Sequence, residues 1–207
     1  VIPLIIAIRR GIRATKICAV QRANMEKTMS YIQTLSGKHF NYLDIQQDDI
    51  VIEDIATALS HICRFAGHLP EFYSVGQHSV LTSHLVPQEF ALEALLHDAA
   101  EAYLQDIPSP LKRLLPDYQA IEARVDAAIR QKFGLPTEQH PTVKYADLVM
   151  LASERRDFEI DEGSVWPCLD GVVPTDLFII NPVRPGQSYG MFINRFNELM
   201  EQRQCAA

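Results

Sequence analysis

Apolar residues recur at the spacing of an α-helix along most of this sequence, and this periodicity limits the fold more than any other feature. In residues 52–63, for example, Ile52, Ile55, Ala56 and Leu59 fall on one helical face. Proline, glycine and polar residues separate this stretch from others of the same kind. We therefore predict helices over 52–63, 70–86, 87–106, 117–134, 141–158 and 186–203, with a short one in IPSPLKRLLP.

Two segments lack this periodicity. Residues 31–49 are polar and mixed, and they predict a loop with short strands. The segment GSVWPCLDGVVPTDLFIINPVRPGQ carries four prolines and three glycines, which is typical of an irregular connection. The predicted fold class is thus all-α, a bundle of about six to eight helices with irregular N-terminal and penultimate segments.

The length and composition of the chain favour a single domain. The chain has 207 residues, of which 47% are hydrophobic, enough for one well-buried core. No apolar run approaches the roughly 18–20 residues that a membrane span needs, so we expect no membrane partner. The cysteines show no CxxC spacing, which argues against a zinc ribbon or a disulfide framework and favours the reducing cytoplasm. They are Cys18, Cys63, Cys168 and Cys205.

Charge is distributed unevenly between the first 28 residues and the rest. Residues 1–28 hold six Lys and Arg against one acid, Glu26, and leave 13 basic against 25 acidic residues for the remainder. We interpret 1–28 as a disordered or non-native leader before a domain over 29–207, with Met29 as the start; a mitochondrial-type presequence is the alternative. The acidic remainder argues against a nucleic-acid polymer as partner, although a metal and local cations could still hold a small anion.

Four metal-competent side chains occur in helical segments that are otherwise apolar. They are His78 in VGQHSV, His97 and Asp98 in LLHDAAEA, and Asp147 in KYADLVML. Burying such carboxylates without a partner costs several kcal/mol, so convergence on a cation is a reasonable explanation. Nitrogen and oxygen ligands without a thiolate suit a divalent transition metal: Mn, Fe, Co, Ni or Zn.

The order H…HD…D on helices resembles the HD superfamily of metal-dependent phosphohydrolases. The stretches ICRFAGHLPEFYSVGQHSVL, ALLHDAAEAYLQDIPSPLK and KYADLVMLASERRD are similar to small phage and prophage HD proteins, which are related to the bacterial HD-family 5′-deoxynucleotidases. The resemblance covers roughly residues 29–207. It implies that His78, His97, Asp98 and Asp147 are the metal ligands.

The same resemblance implies catalytic and substrate-binding residues. It assigns catalysis to Glu101, one helical turn after His97, and to Asp106 in the proline-stiffened turn beyond the helix. Arg64 and Phe65 match an Arg-aromatic pair that contacts substrate, although the second residue in that branch is usually Trp. Two further substrate contacts are predicted at His68 and Lys112.

Each of these assignments has an ordinary structural alternative. Glu101 and Lys112 could be solvated, Asp106 could cap its turn, and Arg64 could pair with Glu53 or Asp54. His68 could be a plain turn residue. The apolar face of residues 117–134 fits either a core or a homodimer interface.

The expected activity is the removal of phosphate from (deoxy)nucleoside 5′-monophosphates by a water that the metal activates. A deoxynucleoside triphosphohydrolase that releases triphosphate is one alternative, because the same four ligands serve both reactions. A non-catalytic HD module that binds a nucleotide is the other. In each case the partner is a small-molecule nucleotide.

Overall fold

The computed structural model describes residues 30–161 and 163–206 of the chain. The predicted leader over residues 1–28 lies outside this part. Within it, no helix combines the length and the apolar character that crossing a bilayer would require.

The described residues form eight α-helices and one small antiparallel sheet, so the predicted all-α class is confirmed. The sheet pairs β1 (Tyr31–Gln33) with β2 (His39–Asn41), where short strands were expected. The helices are α1 (Ile52–His61), α2 (Val75–Ser83), α3 (Ala91–Leu95), α4 (Glu101–Leu104), α5 (Ser109–Lys112), α6 (Pro116–Phe133), α7 (Pro141–Asp157) and α8 (Pro185–Ala206).

The C-terminal helix organises the core, since α8 packs against α1, α2 and α3. Leu59, Leu95, Phe192 and Leu199 are buried together there. The close approach of α1, α2 and α8 depends on Gly76. A Cβ added at this position would lie 2.9 Å from Ser188 Oγ and 3.2 Å from backbone atoms of α1. The packing therefore holds α2 deep inside the bundle.

Helix α6 follows its sequence signals. Pro116 occupies the first turn, where its missing N–H costs nothing, and Gly134 ends the helix in the left-handed region with φ 61°. Val125 and Ile129 are buried in the main core. The apolar face of residues 117–134 therefore contributes to the core.

The predicted helix over 70–86 begins later than expected. Ser74 pairs with Cys63 in an isolated β-bridge, and its hydroxyl accepts a hydrogen bond of 3.1 Å from the backbone N–H of Gln77. A serine that caps the first turn is a stronger start signal than a proline four residues earlier. Helix α2 consequently starts at Val75.

The prediction of one helix over 87–106 is wrong. A 3-10 turn, Gln88–Phe90, leads into α3, which ends at Leu95, and α4 starts only at Glu101. Between them the backbone bonds join residues three apart, such as Ala99 N–H to Leu96 O at 3.0 Å. No proline or glycine marks this break. The predicted ligands His97 and Asp98 lie inside it.

Candidate metal centre

Three side chains from distant parts of the chain bring their ligand atoms together. His78 comes from α2, His97 from the turn between α3 and α4, and Asp147 from α7. The two Nε2 atoms are 3.4 Å apart, and Asp147 Oδ1 lies 3.1 Å from His78 Nε2 and 3.7 Å from His97 Nε2. All three ligand atoms fit within 4.8 Å, a spacing that can hold a metal ion.

Asp98 reaches the same point from the residue next to His97. Its Oδ2 lies 3.2 Å from His97 Nε2 and 3.6 Å from His78 Nε2. In a regular α-helix, neighbouring side chains diverge by about 100°. His97 Nε2 and Asp98 Oδ2 nevertheless approach the same locus. The four predicted ligands are thus neighbours in space.

Hydrogen bonds on the outer side of each imidazole orient the rings. His97 Nδ1 donates to the carbonyl oxygen of Ala94 at 2.7 Å, and His78 Nδ1 donates to Glu154 Oε1 at 2.6 Å. Both Nε2 atoms are then left as lone-pair donors that face each other and a carboxylate. Atoms of this kind are held this close by shared protons or by a metal ion, and second contacts of this kind are typical of metal-binding histidines. The residues present could therefore hold a metal ion.

Glu154 contacts the candidate centre, although no sequence pattern singled it out. It is fully buried on α7, and its Oε2 accepts a hydrogen bond of 2.9 Å from Arg64 while Oε1 holds His78. Its only signal in the sequence is its position seven residues after Asp147, two turns along the same helical face. A glutamate in ASERRD otherwise looks like a solvated helix residue.

The carboxylates keep protons on the imidazoles when no cation is bound. Burial alone lowers the pKa of His97, but Asp98 and Asp147 outweigh it and raise the pKa well above 6.5. Burial alone would raise the pKa of Asp98, yet contact with His97 and His78 lowers it to about 2. A metal ion that replaces these protons must release them on binding.

Glu101 lies beside the ligands, but its pKa is shifted in the opposite direction from that of Asp98. Its side chain is buried, and its Oε2 makes no hydrogen bond with any described residue. Burial first, and the negative charges of Asp98 and Asp106 second, raise the pKa of Glu101 well above 4.5. Asp106 follows α4 in the expected turn, and burial raises its pKa as well. Two carboxyl groups with raised pKa values thus border the centre.

Arg64 also belongs to this centre. Its guanidinium donates to Glu154 and lies 3.8 Å from Asp98 Oδ2, so the alternative pairing with Glu53 or Asp54 is wrong. The next residue, Phe65, adopts a left-handed backbone with φ 54°, a strained conformation for a bulky residue. Its ring centroid is 5.5 Å from the Arg64 guanidinium carbon.

The remaining two predicted substrate contacts have different settings. His68 is exposed in the turn that follows the 3-10 helix Arg64–Gly67. Lys112 forms a salt bridge of 2.7 Å with Glu122 of α6, and both line a cavity next to the ligands. Lys112 is therefore brought to the centre, whereas His68 lies at the surface.

The cavity next to the ligands, here called the α6 cavity, has a volume of about 310 Å³. This is near the lower end of the roughly 300–1,000 Å³ usual for small-molecule sites. It is lined by His97, Asp98, Ala100, Glu101, Lys112, Gln119, Glu122, Ala123, Asp126, Arg130 and Gln139. Asp147 keeps 39% of its side chain exposed, so the centre also has access to solvent.

Comparison with models of known protein families finds no match. Curated relatives exist. The sequence is 36% identical over 122 residues to the uncharacterized protein RCAP_rcc00048 of Rhodobacter capsulatus, which covers 54% of this chain and 62% of that protein. It is 64% identical over 178 residues to the uncharacterized protein YfdR of Escherichia coli K12, which covers 86% of this chain and 100% of that protein. The chain therefore belongs to the family of the Escherichia coli protein YfdR.

Proposed function

We propose that this protein is an HD-type, metal-dependent phosphohydrolase that removes phosphate from (deoxy)nucleoside 5′-monophosphates. The main support is the convergence of His78, His97, Asp98 and Asp147, which follow one another in the order H…HD…D, beside a buried glutamate and a small cavity. Such a combination of ligands, an acid–base group and space for substrate is what a hydrolytic centre requires.

The ion would be held by the two imidazole Nε2 atoms and the carboxylates of Asp98 and Asp147. A divalent transition metal there supplies Lewis acidity, which makes water a better nucleophile near neutral pH and draws charge from a phosphoryl oxygen. Arg64, 3.8 Å from Asp98, presents a fixed positive charge and a fork of donors to the phosphate.

Proton transfer is the role of Glu101 and Asp106. Because its pKa is raised, Glu101 keeps a proton that its unbonded Oε2 can deliver to the oxygen of the leaving alcohol. Asp106, in the half-buried turn beyond α4, can accept the proton that the attacking water loses. Water thus forms the new P–O bond and the ester P–O bond breaks. The proton that the water loses passes to Asp106, and the proton that the leaving oxygen gains comes from Glu101.

We also propose a reducing, cytoplasmic compartment, and the support for it comes from the thiols. The three described cysteines, Cys63, Cys168 and Cys205, are free, which supports the proposal of a reducing, cytoplasmic setting.

The test is a phosphate-release assay on protein freed of metal with EDTA and reloaded with Mn²⁺, Co²⁺, Ni²⁺, Fe²⁺ or Zn²⁺. We expect orthophosphate from nucleoside 5′-monophosphates with at least one metal. Glu101→Gln should keep the metal but lose roughly 10²–10⁴-fold in rate, whereas Asp147→Ala should lose metal and rate together. Glu201→Gln, on an exposed part of α8, is the matched control. No orthophosphate from any monophosphate with any of these metals would refute the proposal.

A further inference from the structure

Tyr73 is buried near the candidate metal centre, and the mechanism proposed above does not use its hydroxyl. The side chain is 1% exposed, and its Oη atom makes no hydrogen bond with any described residue. A hydroxyl withdrawn from water destabilises a fold unless an acceptor engages it, directly or through an ordered water. Phenylalanine would fill the same space without this cost, so the presence of a tyrosine requires an explanation.

The ring of Tyr73 packs against the face of α7 that carries Glu154. Tyr73 and Met150 belong to one small buried cluster, and the ring centroid of Phe158 lies 5.1 Å from that of Tyr73. Met150 and Phe158 lie four residues before and four residues after Glu154, so the three share one helical face. The tyrosine ring is therefore held on the same side of α7 as the Glu154 carboxylate.

The backbone of Tyr73 is tied to a residue that Glu154 also holds. The carbonyl oxygen of Tyr73 accepts a hydrogen bond of 2.9 Å from the backbone N–H of Arg64. Glu154 in turn accepts hydrogen bonds from the Arg64 guanidinium at 2.9 Å and from His78 at 2.6 Å. Tyr73 thus joins the segment that carries Arg64 to the helix that carries Glu154.

The charge of Glu154 also acts on the Tyr73 hydroxyl. Burial first, and the negative charge of Glu154 second, raise the pKa of Tyr73 well above 10. The phenol therefore keeps its proton, and toward a carboxylate it can act only as a donor. A carboxylate has about four acceptor positions, and His78 and Arg64 use one on each oxygen. Glu154 can therefore accept a third hydrogen bond.

We propose that Tyr73 is a positioning residue of the candidate metal centre, and that its hydroxyl supports the Glu154 carboxylate, which in turn orients His78 and Arg64. The inference rests on the proposed metal-dependent function and adds to it a residue that acts through Glu154. A carboxylate supported from a further side is less free to turn away from His78 Nδ1, so His78 Nε2 is already oriented when an ion binds. The alternative is that Tyr73 only fills the cluster around Met150.

The first test removes only the hydroxyl. The matched control for Tyr73→Phe is Tyr103→Phe. Tyr103 is also buried, and its hydroxyl has no partner in the part of the chain that the structure describes, but its ring stacks on Phe40 in the main core. Affinity for Mn²⁺ is measured by competition with a chromophoric chelator. We expect Tyr73→Phe to weaken binding about three- to tenfold, less than the loss of a direct partner of a ligand, and Tyr103→Phe to change it by less than about twofold. Wild-type affinity in Tyr73→Phe would overturn the proposal.

The second test asks whether the hydroxyl acts through Glu154. In the Glu154→Ala background, Tyr73→Phe should alter Mn²⁺ affinity by less than about twofold, because the group that transmits its effect is gone. A tyrosine that only fills space would cause the same loss of affinity in both backgrounds. That result would refute the positioning role.

Thermal unfolding of metal-free protein in EDTA separates this inference from the proposed function. If the hydroxyl supports Glu154, Tyr73→Phe should lower Tm by about 3–8 °C in the otherwise wild-type protein and by less than about 2 °C in Glu154→Ala. If the hydroxyl has no acceptor, its removal should leave Tm unchanged or raise it, and the inference is wrong. If the wild-type protein binds no metal and hydrolyses no phosphomonoester, the proposed function is wrong, while the Tm comparison still decides whether Tyr73 supports Glu154.

Discussion

Glu154 provides the sharpest test of how this centre is built. Glu154→Ala removes a fully buried carboxylate that holds His78 and Arg64 at once, at 2.6 and 2.9 Å. The variant leaves a guanidinium and an imidazole N–H without their acceptor, and breaking a buried ion pair in this way costs about 3–5 kcal/mol. At roughly 2–4 °C per kcal/mol for a protein of this size, Tm should fall by about 6–20 °C.

The same substitution should weaken metal binding. Without Glu154 the Nδ1 proton of His78 has no fixed acceptor, so Nε2 is no longer held toward the centre. Loss of a second contact of this kind typically reduces metal affinity by about 10–100-fold. Glu154→Gln keeps an oxygen that can accept from Nδ1 but removes the charge opposite Arg64. We therefore expect it to recover much of the metal affinity and less of the stability.

Unfolding is followed by far-ultraviolet circular dichroism in EDTA, and metal affinity by competition with a chromophoric chelator. Glu201→Ala, on an exposed part of α8, is the control. Burial raises the pKa of Glu154, but Arg64 and His78 outweigh it, so the net pKa is below 4.5. The stabilisation should be complete above pH 4.5 and shrink as pH falls through the lowered pKa. A Tm within about 2 °C of wild type and unchanged metal affinity would refute this reasoning.

Three further outcomes are expected. Because the pKa of His97 is raised, its contribution to stability is complete below pH 6.5 and is lost as pH rises through the raised pKa. The Tm of metal-free protein should therefore fall toward alkaline pH, whereas the Tm of Mn²⁺-saturated protein should not. Melting curves recorded in EDTA and in Mn²⁺ check both outcomes. Gly76→Ala should lower the free energy of unfolding in urea by about 1–3 kcal/mol, because the added Cβ would clash with backbone atoms. Gly190→Ala has open space around the added Cβ, so it should be neutral or stabilising by up to about 1 kcal/mol. Arg130→Met should lower the free energy of unfolding by about 3–5 kcal/mol, because it leaves the buried carboxylate of Glu93 without its cationic partner. The double variant with Glu93→Leu should recover most of that loss in the same assay.

The spacing of apolar residues was enough to predict the helical class and most of the helices. Helix α6 is the clearest case, since Pro116 and Gly134 mark its two ends by local backbone preferences. The candidate ligands could also be predicted from the sequence. Burying His97 and Asp98 in an apolar segment costs free energy unless a partner pairs with them. These are properties of short stretches, and a sequence displays them directly.

Tertiary structure alone decided how these residues meet. The break between α3 and α4 follows no proline or glycine; it lies where the side chains of His97 and Asp98 both face one buried locus. Glu154 acquires its role from Arg64, 90 residues away, and from His78, 76 residues away. Helix propensities differ by less than about 1 kcal/mol per residue, whereas an unpaired buried charge costs several. Contacts between distant buried polar groups therefore set the details of the centre, and no local pattern in the sequence records them.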